Sequence, residues 1–135
     1  MFVIDCSVTM AWLFEDEKTP FSEKIFDLLE TEKAISPSLW PIEIVNVLLQ
    51  GEKRRRITPS QSAHFLNTLN QLPIQVIENS STTHFESWLY LARENNLTSY
   101  DAAYLDLASR MGLPLATLDM ALIKAAKSLG VELLS

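Results

Sequence analysis

Short apolar runs alternate along this chain with longer stretches whose apolar residues recur every three or four positions. FVID at 2–5, AIS at 34–36, IQVI at 74–77 and PLATL at 114–118 read as short buried strands. The stretches between them read as helices. One is capped by Ser7 and runs to about Phe14; a second covers 20–32, where Phe21, Ile25, Leu28 and Leu29 recur behind Pro20. A third starts at Ser38 and ends near Gly51. Thr58, Pro59 and Gln61 form the cap, first-turn proline and capping-box partner of a fourth, which stops before Pro73. The polar cluster NSSTT leads into a fifth, from about 82 to 94. A sixth runs from Thr98 or Ser99 to Gly112, and a seventh from an Asp119 cap to Gly130. This alternation predicts an α/β fold of three layers, a mostly parallel, twisted sheet of about 4–5 short strands flanked by helices on both faces.

At 135 residues, with three glycines and six prolines dispersed, the chain is expected to be a single domain over 1–135. The one cysteine, Cys6, sits inside an apolar segment, so disulfides are excluded and a buried thiol in a reducing cytoplasm is expected. No apolar run approaches the roughly 18 residues of a membrane span, and no basic residue precedes Lys18, so a cytoplasmic protein is expected. The net charge of −6 argues against a surface that grips nucleic acid by charge alone, although bound cations could reverse the sign locally.

The acids then become informative. In open α/β sheets, ligands bind beyond the carboxyl ends of the strands. Asp5 ends the first strand and Asp119 follows the last by two residues; Asp101 lies in the first turn of its helix and Glu43 about one turn into another. WPIEIVNVLLQ is apolar nearly all round except for Glu43, Asn46 and Gln50, which share one stripe, so this helix is expected to be largely buried. Helix capping accounts for Asp119. It accounts less well for Asp5 and Glu43, which interrupt apolar sequence. Four carboxylates in one crevice repel each other unless a cation intervenes, and oxygen donors suit Mg²⁺ or Mn²⁺.

FVIDCSV, LWPIEIVNVL, LTSYDAAYLDLA and LATLD, in this order and spanning essentially the whole chain, resemble the PIN domain family and, within it, the VapC-type toxins of toxin-antitoxin pairs. The resemblance implies a Mg²⁺- or Mn²⁺-dependent endoribonuclease. Asp5, Glu43, Asp101 and Asp119 would be its metal-binding and catalytic acids, with Ser7, Asn46 and Thr117 supporting them. Hydrolysis by a water activated at the metal would leave a 5′-phosphate and a 3′-hydroxyl. RNA as substrate, a VapB-like antitoxin as partner and a homodimer are implied as well.

Other features carry less. His64 and His84 lack partners at ligand spacing and are read as structural. KRRR at 53–56 suits the carbonyls at a helix end, with an RNA-backbone or partner contact as the alternative. Trp12, Phe14 and Trp40 are read as core, with a groove for an antitoxin helix as the alternative, and EDE at 15–17 as a solvated turn. Asp106, about 140° round the helix from Asp101, should face away from the acids. A phosphoacceptor receiver lacks its acidic pair and late lysine here, and a phosphatase of the Asp-x-Asp type fails because Ser7 replaces the second aspartate. A non-catalytic module that holds RNA or a protein remains the rival reading.

Overall fold

The computed structural model describes residues 1–78 and 84–135. Strands β1 (Phe2–Ile4), β2 (Ala34–Pro37), β3 (Ile74–Ile77) and β4 (Leu115–Ala116) form a parallel sheet in the order β3-β2-β1-β4. Val3 pairs with Ile35 on one side and with Leu115 on the other, so β1 is central. Alternation along the strands divides the core. Phe2, Ile4, Ala34 and Ala116 join a cluster on one face, and Val3, Ile35 and Leu115 a larger one on the other. A single bridge, Leu115 to Leu133, extends the pairing beyond β4. The three-layer α/β expectation holds, with four strands among the described residues.

Seven helices among the described residues cover the sheet: α1 (Cys6–Ala11), α2 (Pro20–Leu28), α3 (Trp40–Lys53), α4 (Pro59–Gln71), α5 (Phe85–Asn95), α6 (Ser99–Met111) and α7 (Met120–Leu129). None is long and apolar enough to cross a membrane. Gly112 and Gly130 end α6 and α7 in the left-handed conformation, as expected. NSSTT at 79–83 and the helix start expected at about 82 lie outside the described residues. Three expectations are corrected. Asp5, not Ser7, caps α1, which stops at Ala11 before a 3-10 turn at Glu15–Glu17. The third helix, α3, begins at Trp40 and not at Ser38, without a side-chain cap. And α3 is not buried all round: Trp40, Ile44, Leu48 and Gly51 face the core, while Ile42 (73% exposed), Val45 and Leu49 face outward. Its uniform apolarity concealed two faces with different roles.

The capping box at α4 forms as read. Thr58 Oγ1 accepts from the Gln61 amide at 3.2 Å, and Gln61 Oε1 accepts from the Thr58 amide at 2.9 Å. Thr58→Ala removes one half of this exchange and is expected to lower stability by about 1 kcal/mol, measured as a shift in the urea midpoint at unchanged slope.

Strand order decides where a ligand can sit. From β1 the chain winds outward to β2 and β3, then returns to place β4 on the opposite side of β1. The reversal opens a crevice past the carboxyl ends of β1 and β4. The residues that follow those ends are Asp5 and Thr117–Asp119.

Candidate active site

Asp5 leaves β1 with extended backbone and caps α1, because its Oδ1 accepts the Val8 amide at 3.1 Å. The same oxygen accepts the Ser7 hydroxyl at 2.7 Å, and Oδ2 accepts the Thr117 hydroxyl. Capping therefore accounts for Asp5 after all, contrary to the reading from sequence. It does not exhaust its role, because Asp5 is only 4% exposed and among the described residues pairs with no cation. Burial pushes its pKa up to about 6, against the pull of these three hydrogen bonds.

Ser7 and Thr117 stitch the two strand ends together. The Ser7 hydroxyl accepts the Leu118 amide at 2.9 Å, and the Thr117 hydroxyl accepts the Asp119 amide at 3.0 Å. Asp119 in turn caps α7, its Oδ1 accepting the Leu122 amide at 2.9 Å. Two hydroxyls thus fix the relation of Asp5 to the turn that carries Asp119.

Glu43 and Asp101 complete the rim from the first turns of α3 and α6. Thr98 caps α6 by accepting the Asp101 amide at 3.1 Å, which leaves the Asp101 carboxylate unused by the cap. Glu43 Oε1 accepts the hydroxyl of Tyr104 at 2.6 Å. Tyr104 is a partner of Glu43 that the sequence reading missed. Its signal was present in YDAAYLDLA: a tyrosine three residues after Asp101 shares its helix face, and a buried phenol needs a polar partner.

The carboxylates act on one another through Asp101. Burial raises the pKa of Glu43 and of Asp101; the Asp101 charge adds to the rise at Glu43 and at Asp5, and the Asp119 charge adds to the rise at Asp101. Among the described residues none of the four carboxylates is in an ion pair. Nor do three or more Asp, Glu, His or Cys side chains there stand close enough together to hold one ion between them. Asn46 is exposed on α3, with no side-chain hydrogen bond among the described residues.

The remaining candidates fall elsewhere. Asp106 accepts Trp88 Nε1 at 3.1 Å and Arg110 Nε at 2.8 Å, a bolt between α5 and α6. Cys6 is buried and its thiol is pushed up by burial and by Glu43 and Asp5. Phe14 and Trp40 are core, Trp40 Nε1 donating to Thr9 Oγ1 at 3.1 Å. Trp12 is half-buried against Phe26, edge to face. His64 is exposed on α4, and His84 sits at the start of α5 beside Trp88.

Comparison with known proteins agrees with this architecture. None of the curated proteins matches the chain significantly. Solved structures do. A crystal structure of PAE2754 from Pyrobaculum aerophilum aligns with TM-score 0.68 at 22% identity, covering 92% of this chain and 83% of that one. FitAcB from Neisseria gonorrhoeae aligns with TM-score 0.64 at 16% identity, covering 100% and 97%. A toxin-antitoxin complex from Klebsiella pneumoniae aligns with TM-score 0.61 at 16% identity, covering 88% and 87%. The family model described as PIN domain matches residues 2–128, which include all four acids and both stitching hydroxyls, and the chain belongs to the PIN domain family.

Proposed function

We propose that this protein is a metal-dependent endoribonuclease, the VapC-type toxin of a toxin-antitoxin pair. One observation carries the reading: Asp5 and Asp119 follow β1 and β4 at the switch point of the sheet, held together by the Ser7 and Thr117 hydroxyls, and among the described residues neither they nor Glu43 and Asp101 are in an ion pair. The fit to a divalent ion rests on donor chemistry. The four side chains offer only carboxylate oxygens, carry more negative charge than burial favours, and lack soft or imidazole donors beyond the protonated Cys6. Among the described residues no three such side chains close on a single point, so an ion there would take at most one or two carboxylates directly and keep its other positions for water.

Asp5, Asp101, Asp119 and Glu43 would hold the ion. When bound, such an ion supplies a more acidic water and positive charge beside the phosphate. The protein's own groups position and orient. Ser7 and Thr117 hold both oxygens of Asp5, and Tyr104 holds one oxygen of Glu43. The amino ends of α6 and α7 face the same rim, where their dipoles favour an anionic phosphate.

The antitoxin partner is supported by the toxin-antitoxin complex among the structural neighbours, and a homodimer by the apolar outer face of α3 at Ile42, Val45 and Leu49. Purified protein freed of partners is expected to cut RNA in Mg²⁺ or Mn²⁺ and to stop on chelation, leaving 5′-phosphate and 3′-hydroxyl ends. Equal cutting in a chelator would overturn the mechanism. Binding of RNA without any cutting in either metal would favour the non-catalytic module.

A further inference from the structure

Four of the eleven basic residues of this acidic chain fall in one run, Lys53–Arg56. They do not behave alike. Arg56 is tied down: Nη2 bonds both carboxylate oxygens of Asp16, at 2.8 and 3.1 Å, and the guanidinium lies 4.0 Å from the centre of the Phe14 ring. Lys53, Arg54 and Arg55 are exposed, and among the described residues none is in an ion pair. The turn that presents them is well defined. The Arg54 amide donates to Gln50 at 3.0 Å, that of Arg55 to Glu52 at 3.1 Å and that of Arg56 to Gly51 at 2.8 Å. Arg55 sits in the left-handed region, at φ 58°, where glycine or asparagine is the ordinary choice, so the backbone gives no reason for an arginine there.

Helix geometry links this turn to the acids. Arg54 follows Glu43 by eleven residues, three turns and about 20°, so it shares the Glu43 face about 16 Å along α3. Asn46 and Gln50, both exposed, lie on that face between them. Beside it runs a groove of about 530 Å³, with Ser7 and Asp119 near the acidic rim, Met10, Val47 and Leu118 as apolar wall, and Glu17 lining it too. None of Lys53–Arg56 lines the groove, but Glu17 on its wall is 3.5 Å from Arg56, which places that wall beside the basic turn.

We propose that Lys53, Arg54 and Arg55 hold the backbone of a single-stranded RNA whose scissile phosphate lies at the acids, the strand following the polar face of α3 and its groove. This rests on the nuclease reading. An RNA is favoured over an acidic protein because Arg54 shares the Glu43 face of α3, so that one extended strand can meet the cations and the acids together. A chain of net charge −6 also needs local positive charge to seat a polyanion beside four carboxylates. Such contacts fix where the strand lies and read no sequence.

The test compares Lys53→Gln/Arg54→Gln/Arg55→Asn with a charge control, Lys124→Gln/Lys127→Gln, two exposed cations on α7. Binding of a labelled mixed-sequence RNA of about 12 nucleotides, within the range of single-strand sites, is followed by anisotropy in Mg²⁺, on an Asp101→Asn background that spares the RNA. The triple variant is expected to bind at least tenfold more weakly. Its slope of log affinity against log salt should be shallower by about 2, from three lost contacts at about 0.7 each. The control should change neither. Unchanged affinity and slope in the triple variant, or no RNA binding by the parent, would overturn the proposal. So would loss of polyglutamate binding with RNA binding intact, which would mark an acidic protein as the occupant. Cleavage by the same substitutions without the Asp101 change separates the two readings. RNA held through this turn yet never cut leaves the surface standing and removes the nuclease; cutting with an unchanged KM in the triple variant does the reverse.

Discussion

Asp5→Asn and Asp101→Asn are each expected to lower metal-dependent RNA cleavage at least about a hundredfold while leaving the protein folded. The argument differs between them. At position 5 an amide oxygen can still accept the Val8 amide and the Ser7 hydroxyl, so the cap on α1 survives, but the charge that would draw a cation is gone. At position 101 the cap on α6 belongs to Thr98 and does not involve the substituted group. What is lost there is a carboxylate charge that adds to the raised pKa of Asp5 and of Glu43. Circular dichroism and a melting curve alongside the cleavage assay decide the matter: an active Asp101→Asn protein would remove this carboxylate from the site, and an unfolded one would show that it is structural.

The metal-free protein is expected to lose stability as the pH rises from about 4 to about 6. Asp5 has its pKa raised in the folded state, from 3.8 to about 6, chiefly by burial. Between those values the folded protein binds more protons than the unfolded chain, so stability falls with rising pH and levels off above the folded value. About two units correspond to about 3 kcal/mol, a large share of the 5–15 kcal/mol that holds a typical domain together. Glu43 and Asp101, also raised, push in the same direction. Denaturation in a chelator across this range should show the fall in the native protein and a flatter profile in Asp5→Asn, which is expected to be the more stable of the two at pH 8. Adding Mg²⁺ should restore stability to the native protein and leave the variant little changed. Identical profiles for both proteins would show that the buried carboxylate carries no such penalty.

The sequence disclosed most where one residue has a local job. Thr58 with Gln61, Thr98, Asp119, Gly112 and Gly130 mark helix ends by chemistry that operates within four residues, and all were legible. The acids were legible because a carboxylate at the end of an apolar run has few reasons to be there. Less legible was anything set by partners far along the chain. Ser7 looks like a helix cap in isolation, yet its hydroxyl serves Asp5 and Leu118, and Asp5 takes the cap instead. Tyr104 meets Glu43 from 61 residues away: the local pattern sets the phenol on the Asp101 face of its helix but does not name the partner. The outward apolar face of α3 escaped notice because periodicity reports how many residues are apolar on each side of a helix, and not which side the rest of the protein covers.

The stitching of β1 to β4 by Ser7 and Thr117 has a consequence for how the protein comes into being. The two halves of that seam are separated by 110 positions, and the second is made only after β4 has been synthesised. Until then Asp5 has no Thr117 to bind, and the rim lacks Asp119. A chain that ends before Thr117 therefore holds Asp5 by the Ser7 hydroxyl and the Val8 amide alone and cannot assemble the rim.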